Sequence, residues 1–459
     1  MAAWKLLIRG EHAMNILFVS LGCDKNLVDT EVMLGLLAKK GHQMIDDETQ
    51  ADIVIVNTCC FIHDAKEESI QTILEMAQLK ETAVLKKLIV TGCLAQRYKE
   101  EILEEIPEVD AVLGTTSYDE IAEVIDGLFS DSPMERADAR MIMKDVDYLP
   151  ETQKGRLVTT GGHFAYLKIA EGCDKHCTYC IIPKIRGNFR SVPMEELIDE
   201  AKELADQGVK ELILVAQETT LYGKDIYGEK SLPRLLKALC KIQGLRWIRI
   251  LYCYPEEITD ELIQVIKEES KICHYLDLPI QHASDAILKR MGRKTSKEQL
   301  ISIIGKLREE IPDITLRTTL ITGFPGETDE QHEELMDFVD QMEFERLGVF
   351  TYSPEEDTPA AEMPDQISEE IKQDRQAELM ELQQDIVFDR NEDLIGEEML
   401  VMIEGKVADE NAYVGRTYRD APNVDGLIFV NTDEELVSGD FAKVKVTGAM
   451  DYDLIGELL

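Results

Sequence analysis

Three cysteines crowd into the run Glu171-Gly-Cys173-Asp-Lys-His-Cys177-Thr-Tyr-Cys180, and no fourth stands nearby. The compact C-x3-C-x2-C spacing suits a four-iron cubane. Each iron of such a cluster normally takes one thiolate, so a trio leaves one iron open for a small chelating molecule. Structural zinc is a competing reading. Zinc sites of that kind pair two C-x2-C units or use well-spaced histidines, whereas only His163 and His176 lie near these cysteines. Three ordinary buried thiols are the plainest alternative.

The first part of the chain repeats one pattern three times: a β-branched, apolar run, then a cysteine, then a helix-like stretch. The runs cover residues 15–23, 52–60 and 88–93, and the helical stretches cover 28–40, 66–80 and 98–105. Such alternation predicts a parallel α/β sheet, in which the carboxyl ends of the strands share one edge and ligands bind there. Cys23, Cys59 and Cys93 would then converge from distant positions. Each alone reads more simply as a buried strand-end residue. Together they suggest a second three-thiolate cluster, with Cys60 as the ambiguity. We take Cys59 because it ends its strand as Cys23 and Cys93 end theirs.

At 459 residues the chain exceeds a single core, and two to four domains are expected. Residues 131–158, charged and holding Pro150, read as a connection. Six strand candidates follow at 164–169, 211–216, 247–251, 275–280, 315–321 and 346–351, separated by helical stretches. They predict an incomplete (β/α) barrel, a TIM-like fold with chemistry at the carboxyl-end face, where the 173–180 loop falls. Gly323-Phe-Pro-Gly326-Glu327 reads as a tight turn into a helix, since no P-loop lysine follows. Residues 368–390 form a bridging helix. Five short strands within 391–459 then predict a small all-β, OB-like barrel. The fold class is therefore α/β, with domains at 14–130, 159–389 and 391–459.

Charge narrows the partner. The chain carries 90 acidic against 49 basic side chains, net charge -41, which weighs against a partner held through its phosphates and favours a basic protein. A plain solubility role is the alternative. The tail carries 16 Asp and Glu against 5 Lys and Arg, with no Trp, so a basic groove with stacking platforms is hard to build there. Ten cysteines without a signal peptide read as reduced, metal-binding or buried thiols, placing the chain in the cytoplasm. No apolar stretch approaches the roughly 20 residues that cross a bilayer. Residues 1–13 read as an extension or alternative start ahead of Met14.

With Tyr179 before its last cysteine, the 173–180 run resembles the radical S-adenosylmethionine enzymes. Further blocks extend the likeness: Cys23-Asp-Lys-Asn-Leu-Val-Asp29, Asn57-Thr-Cys59-Cys-Phe-Ile62, Thr91-Gly-Cys93-Leu-Ala-Gln-Arg97, Val215-Ala-Gln217-Glu-Thr-Thr220 and Leu278-Pro-Ile-Gln281-His-Ala-Ser284. With the tail barrel, of the kind called TRAM, they resemble the methylthiotransferase family from about Met14 to the end. The first block and Ala-Gln-Glu-Thr-Thr resemble the branch that modifies an aspartate β-carbon of ribosomal protein uS12; the alternative is the branch that methylthiolates an adenine of tRNA. The charge favours the former. Cys60 departs from the family's usual glycine, and Glu218 from its aspartate.

The resemblance implies S-adenosylmethionine and two 4Fe-4S clusters, one on Cys173, Cys177 and Cys180 and one on Cys23, Cys59 and Cys93. An aspartate β C–H is neither acidic nor electrophilic, so homolytic abstraction is called for, which side chains cannot start. Carried over by position, Tyr179, Gln217, Gln281 and Arg317 are candidates to hold S-adenosylmethionine. Arg317 could equally be a structural ion pair, and His282 is similarly open. The implied partners are uS12 and an electron donor such as flavodoxin or ferredoxin. The sulfur source is not readable.

Overall fold

The computed structural model describes residues 13–151 and 155–459. The extension read over residues 1–13 therefore lies, but for its last residue, outside the described residues. Strand β1 (Asn15–Ser20) leads into α1 (Asp24–Lys39) and β2 (Gln43–Met44). There follow β3 (Ile53–Thr58), α2 (His63–Thr82), β4 (Lys87–Gly92), α3 (Cys93–Glu105), β5 (Ala111–Leu113), α4 (Ile121–Leu128), α5 (Pro133–Asp138) and β6 (Met141–Ile142). The sheet is parallel, in the order β2-β1-β3-β4-β5-β6. Every residue of β3 is buried, as a strand covered by helices on both faces must be. Alternate residues serve opposite cores. Val54, Val56, Leu88 and Val90 pack with Ile73 of α2 and Leu94 of α3, while Ile53, Ile55 and Ile89 pack with Met33 of α1 and Ile125 of α4.

The chain leaves β1 toward one edge and returns to place β3 on the other side. That switch point opens the crevice where parallel sheets hold ligands. The stretch 131–158 is only partly a connection, because α5 and β6 form within it and β6 extends the sheet beside β5. Its charged residues are the exposed face of a short helix, capped by the Ser132 hydroxyl with proline at its start.

The middle domain begins with β7 (Phe164–Lys168), β8 (Ala170–Glu171), α6 (Ile182–Arg186), β9 (Arg190–Ser191), α7 (Met194–Asp206) and β10 (Glu211–Val215). It continues through α8 (Lys224–Tyr227), α9 (Leu232–Leu239), β11 (Trp247–Ile250), α10 (Asp260–Glu268), β12 (Ile272–Asp277), α11 (Asp285–Arg290), α12 (Lys297–Glu310), β13 (Thr315–Thr322), α13 (Asp329–Met342) and β14 (Arg346–Thr351). Six parallel strands run in the order β14-β13-β12-β11-β10-β7, an arc of a barrel that does not close. Their outward residues, among them Leu167, Leu214, Ile250 and Leu316, form the main core with the surrounding helices. The long α14 (Glu369–Asp393) then leads to the tail strands β15 (Glu398–Lys406), β16 (Ala412–Arg416), β17 (Ile428–Asn431), β18 (Phe441–Met450) and β19 (Asp453–Leu458), which close as β15-β16-β17-β19-β18. Among the described residues no helix is long and apolar enough to cross a membrane.

An open arc leaves its inner face bare, and the tail fills it from the amino ends of the strands. Met402 and Ala421 pack against Trp247, Cys273 and Tyr275. Glu211, at the start of β10, binds Arg249 at 2.7 Å and Arg416 of the tail at 2.6 Å, all three fully buried. Arg346 pairs with Asp420, and the Tyr275 hydroxyl donates to Asp425 at 2.7 Å. Burial alone would raise the Glu211 carboxyl, but Arg416 and Arg249 outweigh it and hold it below its ordinary 4.5. Because the folded value is the lower one, this contribution is full above about pH 4.5 and disappears as pH falls through the folded value. Glu211→Gln should cost about 3–5 kcal/mol at neutral pH in denaturant titration, because buried Arg249 loses its carboxylate and Arg416 keeps only Glu404. The gap between variant and parent should close in acid.

Candidate active site

Cys23 caps α1, Cys59 follows β3 and Cys93 opens α3, all at the carboxyl edge of the first sheet. Two glycines make this convergence possible. Gly22, at φ 86°, lets the chain pass so close that an added Cβ would stand 2.7 Å from Cys59 Cβ and 3.0 Å from its Sγ. Gly92, at φ 91°, turns β4 directly into α3, so that a first helical piece begins at Cys93, and a kink at Lys99 (φ 34°) separates it from the helical stretch expected from residue 98. Two asparagines stitch the strand ends. Asn26 Nδ2 donates to the carbonyls of Leu21 (3.0 Å) and Thr58 (2.9 Å), and Asn57 Nδ2 donates to the Asn26 carbonyl (2.8 Å).

Cys59 and Cys93 are buried, Cys23 is half-buried, and the three lie within one another's field. Burial pushes Cys59 up, with Cys23 and Arg186 also acting on it; Cys93 is pushed up strongly by burial and feels Arg186, Cys59, Cys60 and Cys23. Cys60 is pushed up to about 12 by burial, against the opposing pull of the Arg97 guanidinium. That guanidinium is itself bound to Glu355 of the middle domain at 3.0 Å. The two neighbouring cysteines thus differ in company.

The second trio occupies the loop after β8. Cys173 N–H donates to the Gly187 carbonyl (3.1 Å), Cys180 N–H to the Cys177 carbonyl (3.0 Å) and Thr178 N–H to the Met291 carbonyl (2.9 Å). The Tyr254 hydroxyl lies 3.9 Å from Cys177 Sγ. Burial pushes Cys173 up to about 11 and Cys180 higher still, and each feels other members of the trio. Among the described residues no three His, Cys, Asp or Glu side chains converge as on a single metal ion.

A buried ionic knot joins the two edges. Arg186 contacts Asp29 at 3.1 Å and Glu171 at 3.0 Å, while Lys168 binds Glu171 at 2.8 Å and also Asp29. Arg186 further donates to Asn26 Oδ1, which lies 3.9 Å from Cys93 Sγ. Burial would raise the Glu171 carboxyl, but Arg186 and Lys168 hold it far below its usual range. Glu171 lies two residues before Cys173 and Asn26 lies beside Cys93, so the knot runs between the segments that carry the two trios.

The residues expected to hold a cofactor divide. Gln217 donates to Glu171 at 2.7 Å, and its Oε1 is buried without a hydrogen-bond partner among the described residues. Glu218 Oε2 is in the same state, 3.8 Å from Lys175, and burial pushes that carboxyl up to about 7. These acceptors beside the 173–180 loop suit an ammonium-bearing molecule. Tyr179 packs with Met291, Phe324 and Tyr352 and feels Cys177. Gln281 adopts a left-handed backbone, φ 73°, and bridges to β13. Arg317 is taken up by Asp277 at 2.9 Å and Asp425 at 3.4 Å, the structural pairing. His282 is buried, its Nδ1 accepting from Ser284 N–H at 2.9 Å. The knot escaped the sequence reading, although lysine at the end of the apolar run Phe-Ala-Tyr-Leu-Lys168 was a signal.

An open six-stranded arc with a C-x3-C-x2-C loop at its carboxyl edge defines the core of a radical S-adenosylmethionine enzyme, and the Radical SAM superfamily profile matches residues 167–339. The uncharacterized protein family UPF0004 matches residues 15–114, and the TRAM domain matches 395–459. The chain belongs to the RimO family, named for ribosomal protein uS12 methylthiotransferases. A RimO from Lachnoclostridium phytofermentans is 66% identical over 96% of this chain and 99% of its own, and one from Clostridioides difficile is 50% identical over 97% and 99%. Fold alone is shared with the radical S-adenosylmethionine methyltransferase TsrM of Kitasatospora setae, solved with cobalamin and a [4Fe-4S] cluster bound. That likeness has a TM-score of 0.55 and 14% identity, covering 76% of this chain and 77% of that one.

Arg186→Met should leave Asp29 and Glu171 short of one cation and cost about 3–5 kcal/mol. Hydrogen exchange should then quicken at residues 24–30 and 168–187 together. Quickening confined to one side would show that the knot does not join the domains.

Proposed function

We propose that this chain methylthiolates the β-carbon of an aspartate in ribosomal protein uS12, in the cytoplasm. The observation that carries this reading is the meeting of two separate cysteine trios at facing strand edges, tied by Arg186, Asp29 and Glu171. When bound, S-adenosylmethionine and a four-iron cluster on Cys173, Cys177 and Cys180 supply the homolytic C–H cleavage that side chains lack, and a second such cluster on Cys23, Cys59 and Cys93 supplies an open iron for sulfur. The residues themselves hold and orient. The Arg186 knot fixes the gap between trios, and Gln217 and Glu218 offer buried acceptors to the amino group of the cofactor. Cys59 is the better ligand because it shares the surroundings of Cys23 and Arg186, whereas Cys60 lies in the field of Arg97 and Glu355.

The tail supports a protein substrate. Arg416, one of its few cations, is buried against Glu211, and Phe441 stacks edge-on against Trp247 at 4.8 Å. Tyr413 is buried, Tyr418 donates to the Asp313 carbonyl and Tyr452 packs on Phe388. Half-buried Phe429 and partly exposed Tyr452 are the rings left to stack RNA bases, with few cations beside them, while the acidic exterior suits a basic protein. An electron donor such as flavodoxin or ferredoxin completes the system.

Anaerobically reconstituted full chain should hold about eight irons, twice the four of one cubane. Cys59→Ala should fall to about four and Cys60→Ala should stay near eight. Mass spectrometry of uS12 from cells with and without the gene should show one methylthio group gained only with it. Gain on tRNA with none on uS12 would overturn the substrate.

A further inference from the structure

Arg293 is a buried cation with no carboxylate bound to it. The residue is 7% exposed, and the one hydrogen bond of its side chain among the described residues runs from NH2 to the Pro279 carbonyl at 2.9 Å. Nε and NH1 are buried without partners. The acidic group acting on it is Glu256, whose Oε1 lies 3.4 Å from Lys175 and whose Oε2 is buried without a hydrogen bond, and the two residues form no ion pair. An unanswered buried charge is costly, and two orphaned guanidinium donors add to the cost. The guanidinium lies over the Tyr254 ring, 4.3 Å from its centroid, which offsets only part of it.

Position names the missing anion. Arg293 follows the turn after α11, whose Met291 and Arg290 carbonyls accept from Thr178 N–H (2.9 Å) and Thr178 Oγ1 (2.8 Å) between Cys177 and Cys180. Its own N–H is fixed to the Leu288 carbonyl at 2.9 Å. Cys177 and Tyr179 are among the groups whose field it feels, and Tyr254, on which it stacks, reaches Cys177 Sγ with its hydroxyl at 3.9 Å. Three thiolates around iron make a negatively charged body at this spot. The other cations near the two trios already have carboxylates: Arg186 and Lys168 in the knot, Lys175 with Glu257, Arg317 with Asp277.

We propose that Arg293 is the counter-charge of the cluster held by Cys173, Cys177 and Cys180, and that with the Tyr254 hydroxyl it raises that cluster's electron affinity. This rests on the reading that the loop carries a cluster. A nearby cation stabilises the reduced, more negative state more than the oxidised one, and a hydrogen bond to a ligating sulfur acts in the same direction. Arg293 is a positioning residue here.

Full-length Arg293→Met tests this in two states. In iron-free protein the melting temperature should hold or rise, because an unanswered charge has gone; in reconstituted protein the cluster signal that S-adenosylmethionine perturbs should become harder to reduce. At fixed applied potential its reduced-to-oxidised ratio should fall about tenfold, equivalent to 59 mV for one electron. Tyr254→Phe should shift it the same way by less, and Arg293→Lys should recover part of the loss. An unchanged potential with weakened S-adenosylmethionine binding would overturn the proposal and make Arg293 the holder of the cofactor's carboxylate. An equal fall in melting temperature with and without iron would also overturn it, marking a purely structural residue. Failure to load any iron on Cys173, Cys177 and Cys180 in the parent chain would instead sink the underlying reading.

Discussion

Everything at the centre of this molecule depends on burying two acids and two bases together. Asp29 comes from the first domain; Glu171, Lys168 and Arg186 come from the second, and each is under 10% exposed. Taken singly, any of them would be expelled from such a site or would lose its charge. As a neutral set, with Asn26 and Gln217 closing further hydrogen bonds, they stay. The set is geometrically demanding because the partners must arrive together. That requirement turns a domain contact into an alignment device, with Cys93 beside Asn26 at one end and Cys173 two residues from Glu171 at the other.

The arrangement extends beyond this knot. Arg97 and Lys66 of the first domain reach Glu355 and Glu356 of the second, so the sheet edge is clamped at a second point. On the opposite face, Glu211, Arg249 and Arg416 seat the tail in an arc that six strands cannot close alone. The tail is thus a structural plug as well as an acidic exterior. Its barrel keeps an independent core around Val401, Ile403, Val430 and Val444. Its loop residues Asp420 and Asp425 belong electrostatically to the middle domain.

Much of this was legible from local pattern. β-branched runs ending in cysteine located three strands of the first sheet, and five strands of the arc fell where apolar runs put them, because buried parallel strands need continuous apolar residues; the fourth, expected at 275–280, lies three residues earlier at Ile272–Asp277. Local signals failed where backbone or distance decides. The first turn of α3 was missed because Gly92 reverses the chain within one residue, and the connection was partly mistaken because a short exposed helix looks like charged loop. Arg186 and Asp29 lie 157 positions apart, and Arg97 and Glu355 lie 258 apart. Such pairs leave no trace in periodicity. Arg293 is harder still, since an arginine near a glycine reads as surface until its burial is known.

The central claim is that one buried ionic knot holds two cysteine trios face to face. Iron-edge anomalous diffraction from anaerobically prepared crystals of the full chain tests it most directly. The account predicts two compact iron peaks, one over Cys173, Cys177 and Cys180 and one over Cys23, Cys59 and Cys93, opposed across Arg186. A single peak, or a second one displaced onto Cys60 and away from Arg186, would contradict it.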